Sequence, residues 1–310
     1  MIEIKGLTKV YKNLTAVNEL NLTINEGDIF GFIGPNGAGK TTTIKMLSTL
    51  IKPTAGSATV AGFSILTQPL EVKQAIGYMP DTFGLYDDMK VWEYLDYFAA
   101  AYKIAASRRP KLIDDVLNLT DLIVKKDDYI EALSRGMKQR LALAKTLIHD
   151  PKVLLLDEPA SGLDPRARIE LRELLKELRK MGKTILISSH ILTELADFCN
   201  TIGIIEQGRL LAAGDVKEIM REMAAGSHVV EVKVRGEADR AADLLRARPE
   251  VQKVDADGDM LEVYLKPEMG EESSFILETL VASGIKVASV KDREVDLEDI
   301  FMRITKGAVQ

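Results

Sequence analysis

A glycine-rich run near the N-terminus contains the residue types that bind phosphate. It consists of Gly34, Pro35, Asn36, Gly37, Ala38, Gly39, Lys40 and Thr41, followed by Thr42, and it fits the pattern G-x-x-x-x-G-K-[ST]. Glycines let backbone N–H groups turn toward phosphate oxygens, Lys40 can reach the outer phosphates, and the Thr41 hydroxyl can bind Mg²⁺. Because an apolar strand pattern precedes the run and a helical pattern follows it, we favour a nucleotide site over an ordinary glycine turn.

Two carboxylates follow the continuous apolar run at residues 153–156. They are Asp157 and Glu158. Because ligands of open parallel sheets bind at the carboxyl ends of the strands, both acids are expected beside the nucleotide. Asp157 suits Mg²⁺, which prefers hard oxygen ligands, and Glu158 is placed to orient or deprotonate an attacking water. The alternative is a strand that ends in two solvated acids.

Three further features are ambiguous when taken alone. Ser134 precedes a helical pattern, so it could simply cap a helix. His190, one of three histidines, follows a strand pattern at residues 184–188, and an isolated histidine is often structural. Tyr11 follows the first strand, where a lone tyrosine usually packs on the surface.

Composition limits the class of protein. The 310 residues carry a net charge of −6 and are 46% apolar, which allows two domains with real cores and argues against general nucleic-acid binding. The single cysteine, Cys199, can form neither an internal disulfide nor a cysteine metal cage, and this fits a reducing compartment such as the cytoplasm. Since no run approaches about 18 apolar residues and no secretion signal is evident, a role at a membrane requires docking on another protein.

The order of sequence patterns predicts two domains. Residues 1–220 alternate strand and helix, which indicates an α/β domain built mainly around a parallel sheet. Within it, residues of about 84–150 read as an α-helical insert, with helices at 91–103, 110–119 and 136–149. Strands are expected at 1–5, 20–24, 29–33, 57–60, 153–156, 184–188 and 201–206, and a helix at 40–50.

The remaining residues, 225–310, show a different order after a Gly-containing polar stretch at 221–227. That order is strand, helix, strand, strand, helix, strand, which predicts a C-terminal α+β domain of ferredoxin-like type. A generic dimerisation or sensing module is the alternative, because this fold hosts many functions.

The set of motifs up to about residue 215 resembles the nucleotide-binding subunit of ATP-binding cassette (ABC) transporters. Residues 133–140 look like the signature loop of that family, Asp157 and Glu158 like its second nucleotide motif, and Ser161-Gly-Leu-Asp164 like the loop that follows. The resemblance implies a P-loop NTPase cassette that binds ATP and Mg²⁺.

Roles for individual residues follow from the same resemblance. It implies that Tyr11 stacks on adenine and that His190 contacts the γ-phosphate. It implies a catalytic set of Lys40, Glu158 and His190, and it implies that Ser134, Gly136 and Asp164 bind nucleotide. The ATP held by the Lys40 loop of one copy would then meet the Ser134 loop of the other.

The sequence departs from the family pattern at two positions. Arg135 stands where the common signature has glycine, and it could attract phosphate or lie on the surface. Asp81 stands where most members have glutamine, and it would join Thr41 and Asp157 as a metal ligand. An acid at this position resembles a subset of exporters with separate ATPase and permease chains, as does the closing segment 295–305.

We therefore expect the ATP-hydrolysing subunit of an ABC-type exporter. Two copies, or one copy and a paralogous cassette subunit, would share their ATP sites and act on a separate integral-membrane permease from the cytoplasmic face. The alternative is a soluble cassette ATPase that acts on ribosomes or DNA. It is disfavoured by the single cassette, the short insert and the acidic charge balance.

Overall fold

A computed structural model of the chain describes residues 1–191, 194–195, 198–216, 218–219, 228–266 and 273–293. Contacts between residues divide the chain into two compact units, Met1–Val216 and a second that begins at Lys217. Each unit is described by itself. The predicted ranges 1–220 and 225–310 stay predictions, because the segment 221–227 lies outside the described residues.

Four strands of the first unit form an antiparallel sheet in the order β2-β1-β4-β5. They are β1 (Ile2–Tyr11), β2 (Leu14–Ile24), β4 (Ala55–Val60) and β5 (Phe63–Ser64). Alternating burial along β1, with Ile2 and Ile4 inside and Glu3 and Lys5 outside, places one face of this sheet in the core. The expectation for the first strands was incomplete in two ways, since β1 and β2 are longer than predicted and lie in a sheet of their own.

Six strands form the central sheet in the order β10-β9-β3-β8-β7-β6. They are β3 (Ile29–Ile33), β6 (Ile76–Met79), β7 (Val153–Leu156), β8 (Thr184–Ser189), β9 (Thr201–Glu206) and β10 (Arg209–Asp215). All neighbours pair in parallel except β10 with β9, so the predicted parallel sheet is confirmed. The carboxyl ends of β3, β8 and β7 therefore lie side by side.

Six α-helices of the first unit lie wholly within the described residues. They are α1 (Lys40–Leu47), α2 (Pro69–Ala75), α3 (Val91–Ala101), α4 (Arg109–Leu119), α5 (Arg135–Leu147) and α6 (Pro165–Lys180). The three helices predicted within the insert correspond to α3, α4 and α5. Helix α1 ends at Leu47, three residues before the predicted end, because the chain turns at Thr49 with a φ of 60°.

The second unit has the predicted order of elements. They are β11 (His228–Val234), α7 (Ala238–Arg246), β12 (Val251–Asp257), β13 (Met260–Leu265), α8 (Ser274–Ala282) and β14 (Val287–Arg293). The sheet order β12-β13-β11-β14 with antiparallel neighbours confirms the ferredoxin-like topology. Both helices pack on a core that includes Val230, Val232 and Leu261. The segment 295–305 lies outside the described residues.

Within the described part of the chain, no helix combines the length and the apolar character needed to cross a membrane. The single cysteine, Cys199, is buried, and burial raises the pKa of its thiol. Its Sγ would lie only 3.1 Å from a Cβ added to Gly31, so the thiol packs directly on strand β3.

Candidate active site

The phosphate-type loop connects β3 to α1 and is held tightly by its neighbours. A Cβ on Gly34 would overlap the carbonyl of Ile205, and a Cβ on Gly39, whose φ is 106°, would lie 2.5 Å from the carbonyl oxygen of Ala16. Each of these positions therefore requires glycine. Only the tip, Asn36 and Gly37, is exposed.

Lys40 opens α1 and points back into this loop. Its side chain is buried, and Nζ donates to the carbonyls of Gly34 at 2.6 Å and Pro35 at 3.2 Å. Nζ also lies 3.4 Å from Oε1 of Glu158. Burial lowers the pKa of Lys40, whereas Glu158 and then Asp157 act to raise it. The ammonium group thus lies among two carbonyl oxygens of the loop and a carboxylate oxygen of Glu158.

Asp157 follows β7 and is almost fully buried, with 1% of its surface exposed. Its Oδ1 accepts from the hydroxyls of Thr41 at 3.1 Å and Ser188 at 2.7 Å, whereas the buried Oδ2 has no hydrogen-bond partner. Burial raises the pKa of Asp157, and the two hydroxyl bonds oppose that change. An unpartnered carboxylate oxygen beside the Thr41 hydroxyl is a donor set that fits Mg²⁺.

Among the residues that the structure describes, no group of three or more His, Cys, Asp or Glu side chains is arranged to hold a metal by itself.

Glu158 lies between two other candidate catalytic residues. Oε2 is 2.9 Å from Nδ1 of His190, which follows β8, and the other carboxylate oxygen faces Lys40. The Glu158 backbone has a φ of 50°, and its N–H donates to Ser188 Oγ at 3.0 Å. Ser188 therefore links the two acids, since its hydroxyl donates to Asp157. Sequence reasoning missed Ser188, whose only signal was its place at the end of an apolar strand.

Asp81 lies just beyond β6, next to β7 in the sheet. It is close enough to Asp157 to contribute to the raised pKa of that carboxyl. Burial, followed by Asp157 and Asp81, raises the pKa of Tyr78 on β6 to about 12. Asp81 therefore lies near Asp157, and its contact with a metal stays a prediction.

Tyr11 ends β1, and 43% of its surface is exposed. Lys9 Nζ lies over the ring at 5.1 Å from its centroid. The ring is thus accessible, and its contact with adenine stays a prediction.

The remaining residues predicted to bind nucleotide lie at two helix N-termini. Ser134 caps α5 by accepting from Met137 N at 3.3 Å, and Asp164 caps α6 by accepting from Ala167 N at 2.9 Å. Among the described hydrogen bonds and ion pairs, none joins Ser134, Gly136 or Asp164 to the Lys40 loop of the same chain. Their contact with nucleotide stays a prediction.

Arg135 connects these two helix starts. Its Nη2 donates to the Ser161 carbonyl at 3.2 Å, and its guanidinium lies against Gly162, where an added Cβ would overlap it. The sequence left open whether Arg135 attracts phosphate or lies on the surface. In the structure it binds the loop before Asp164.

The fold and this site define a P-loop NTPase: a phosphate loop between a buried strand and a helix lies beside an Asp–Glu pair that directly follows a nearby parallel strand. Comparison with known proteins narrows the class. Residues 17–161 match the family described as ABC transporter, and residues 214–305 match the ATP-binding protein DrrA1-3-like, C-terminal domain.

The match covers nearly the full length of two relatives and of one solved structure. An uncharacterized ABC transporter ATP-binding protein, YhcH of Bacillus subtilis, is 35% identical over 98% of this chain and 96% of its own. Nod factor export ATP-binding protein I of Ralstonia nicotianae is 34% identical over 98% of this chain and 94% of its own. The dimeric ATP-binding cassette MJ0796 in a post-hydrolysis state with ADP and Pi is 25% identical, with a TM-score of 0.64 over 70% of this chain and 99% of that one.

The chain belongs to the ABC transporter ATP-binding proteins. The predicted family and the predicted ATPase activity are thereby confirmed. The relatives support the transporter prediction and give no support to the soluble alternative on ribosomes or DNA.

Proposed function

We propose that this chain powers export through a separate membrane permease, on which it docks at the cytoplasmic face. Support comes from the Nod factor export relative, which matches over nearly its whole length, and from the DrrA1-3-like match of the C-terminal residues. Residues 225–310 are then an accessory domain for assembly or regulation.

The observation that carries the ATP-hydrolysis part of this proposal is the placement of Glu158 between Lys40 and His190. Lys40 holds phosphate charge in the loop, Glu158 orients and deprotonates the attacking water, and His190 fixes the Glu158 carboxylate through its Nδ1–H. Thr41, Asp157 and Asp81 are the residues that would hold Mg²⁺, whose charge neutralises phosphate oxygens when it is bound. Tyr11 offers an exposed ring to the adenine.

Two copies complete each site in this proposal. Ser134, Gly136 and Asp164 of one copy approach the nucleotide held by Lys40 and Thr41 of the other. The start of α5 supplies backbone N–H groups and positive potential, which suit a γ-phosphate. The partner is a second copy or a paralogous cassette subunit. ATP binding closes the pair and hydrolysis opens it, and this movement is passed to the permease.

The experiment is purification of the full chain from its native membranes in mild detergent. A Glu158→Gln variant with ATP serves to hold the closed pair, and a Lys40→Ala variant is its control. We expect one integral-membrane protein in stoichiometric amount, and stimulation of ATPase activity when the two are reconstituted. Ribosomes or DNA in its place would overturn the proposal in favour of the soluble alternative.

A further inference from the structure

An arginine on α6 joins two segments that border the candidate active site. Arg168 Nε donates to the carbonyl of Leu163 at 3.0 Å, and its Nη1 lies 2.5 Å from Oε1 of Glu194. Leu163 belongs to the loop that precedes α6, and Glu194 comes four residues after His190. One side chain therefore holds both the loop at 161–164 and the segment that follows the candidate catalytic histidine.

Glu194 in turn holds the turn that carries His190. Its Oε2 accepts from Ser189 Oγ at 3.4 Å, and Ser189 Oγ accepts from the backbone N–H of Ile191 at 3.0 Å. The Ser189 carbonyl accepts from the N–H of Gly34 in the phosphate loop, also at 3.4 Å. The residues on both sides of His190 are thus bonded, whereas its own side chain is 43% exposed. The position of the imidazole therefore depends on how firmly this turn is held.

The ion pair of Arg168 and Glu194 lies partly out of solvent. The Glu194 side chain is 16% exposed and its Oε1 accepts no hydrogen bond, so Arg168 compensates the carboxylate through charge alone. A cavity of about 40 Å³ lies beside the pair, and its wall includes the apolar side chains of Leu171, Ile187 and Leu195. Apolar surroundings strengthen an ion pair and make an unpaired carboxylate costly. Loss of Arg168 should therefore drive Glu194 toward solvent and release the turn before it.

We propose that Arg168 and Glu194 are positioning residues for ATP hydrolysis. The pair ties the loop at 161–164 to the turn that carries His190, and through that turn it keeps the imidazole on the Glu158 carboxylate. The inference rests on the proposed roles of Glu158 and His190, and it explains why the imidazole stays in place although much of it is exposed. The effect is confined to the hydrolysis step, because the phosphate loop is what holds ATP.

The first experiment separates ATP binding from turnover. Arg168→Met keeps much of the length of the side chain and removes its charge, so kcat should fall about tenfold while ATP affinity stays within about twofold of the parent. Glu194→Gln, which keeps an oxygen for Ser189, should behave in the same way. Steady-state phosphate release and equilibrium binding of a fluorescent ATP analogue measure the two quantities.

The matched control for this experiment is Arg166→Met. Arg166 lies on the same helix, is 89% exposed and pairs with Glu170, so its replacement should leave kcat at the parent value. An unchanged kcat in both Arg168→Met and Glu194→Gln would rule out the inference. Equal losses of kcat and of ATP affinity would rule it out as well, since they indicate a damaged fold.

A double-mutant cycle tests whether the pair acts through His190. His190→Ala should lower kcat, and the addition of Arg168→Met should lower it by no more than about twofold further, because the group that the pair positions is already gone. Single-turnover release of radiolabelled phosphate has the sensitivity that these slow variants require. A second tenfold loss in the double variant would show that Arg168 acts independently of His190, contrary to the inference.

The histidine content of the chain offers a readout that does not depend on activity. There are three histidines, so the ring signals of ¹³C-labelled histidine can be assigned by NMR with the help of a His190→Ala variant. In the nucleotide-free protein, Arg168→Met should shift or broaden the His190 signal and leave those of His149 and His228 in place. An unaltered His190 signal in a folded Arg168→Met variant would contradict the inference.

The outcomes also separate this inference from the proposed function. If His190→Ala alone leaves kcat at the parent value, the proposed role of His190 fails and the inference fails with it. If His190→Ala lowers kcat but Arg168→Met does not, the inference fails and the proposed function stands.

Discussion

The Nδ1 atom of His190 lies 2.9 Å from Oε2 of Glu158, although 32 residues separate the two in the chain. The other carboxylate oxygen lies 3.4 Å from Lys40 Nζ. Both contacts are made by a carboxylate that is only 14% exposed, so its orientation is fixed from two sides. Segments that follow three strands of the central sheet, β3, β7 and β8, thus meet at one side chain, and substitutions at these positions should have separable effects.

Lys40→Ala and Glu158→Gln should fail in different ways. Lys40→Ala should weaken ATP binding by about 30-fold or more, because a desolvated cation that faces phosphate is lost. Glu158→Gln should bind ATP nearly as well as the parent, while its turnover falls by about 10²- to 10⁴-fold, because the general base is gone. Equilibrium binding of a fluorescent ATP analogue and steady-state phosphate release measure the two effects.

A sizing experiment checks the shared site with the same variants. With saturating ATP, Glu158→Gln should run as a dimer and Lys40→Ala as a monomer. A strictly monomeric Glu158→Gln with occupied sites would contradict the arrangement in which Ser134 serves the other copy.

Asp157→Asn should raise thermal stability while it impairs turnover. The pKa of Asp157 is raised in the folded protein, so the folded state binds more protons than the unfolded state and loses stability as the pH rises through that range. At pH 7 the neutral amide avoids this cost, and we expect the melting temperature to rise by about 2–4 °C. The gain should shrink as the pH is lowered toward the pKa of the parent carboxyl.

Asp157→Ala is the matched control for that stability effect. It removes the acceptor of the Thr41 and Ser188 hydroxyls, and unpaired buried hydroxyls cost about 1–3 kcal/mol each. A melting temperature above that of Asp157→Asn would show that the two hydroxyl bonds contribute nothing.

Asp81→Asn should reduce the Mg²⁺ dependence of turnover and slightly strengthen binding of metal-free ATP. A carboxylate is a stronger ligand for a hard cation than an amide, but it also repels a triphosphate. Its position beside Asp157 supports both effects. ATP affinity in EDTA and turnover across a Mg²⁺ titration measure them. If both curves overlay those of the parent, Asp81 does not face the nucleotide.

Gly162→Ala should be costly in the parent and less costly when Arg135 is shortened. In the parent, a methyl group at Gly162 overlaps the Arg135 guanidinium and also strains a backbone with a φ of 68°. In Arg135→Ala only the backbone strain remains, whereas in the parent the exposed guanidinium must also move and give up its bond to the Ser161 carbonyl, so thermal melts of the four proteins should show a coupling of about 0.5–1 kcal/mol. Strict additivity of the two changes would show that the guanidinium moves freely away from the loop.

The meeting of Lys40, Thr41 and Asp157 could be predicted from sequence, because a local motif fixes the loop and parallel strands present their carboxyl ends on one edge. Ser188 could not, since only the pairing of Leu156 with Ile187 in the sheet places its hydroxyl between the two acids. That register depends on packing between residues far apart in the chain.

The separate antiparallel sheet was missed for a similar reason. Alternation along β1 indicates a strand with one buried face, but it does not identify the neighbouring strand. Pairing of β1 with both β2 and β4 is a tertiary feature. The contact of Arg135 with Gly162 likewise joins the start of α5 to a loop 27 positions further along the chain, and no local pattern indicates it.

The burial of Cys199 has a practical consequence for site-specific labelling of this protein. Its thiol packs on β3 and its pKa is raised, so maleimide reagents, which attack thiolates, should leave it unmodified. A cysteine introduced at an exposed position such as Ile169 would then be the one reactive thiol of an otherwise natural sequence. Spin labels or fluorophores could report the distance between two copies during the ATP cycle, with no need to build a cysteine-free variant first.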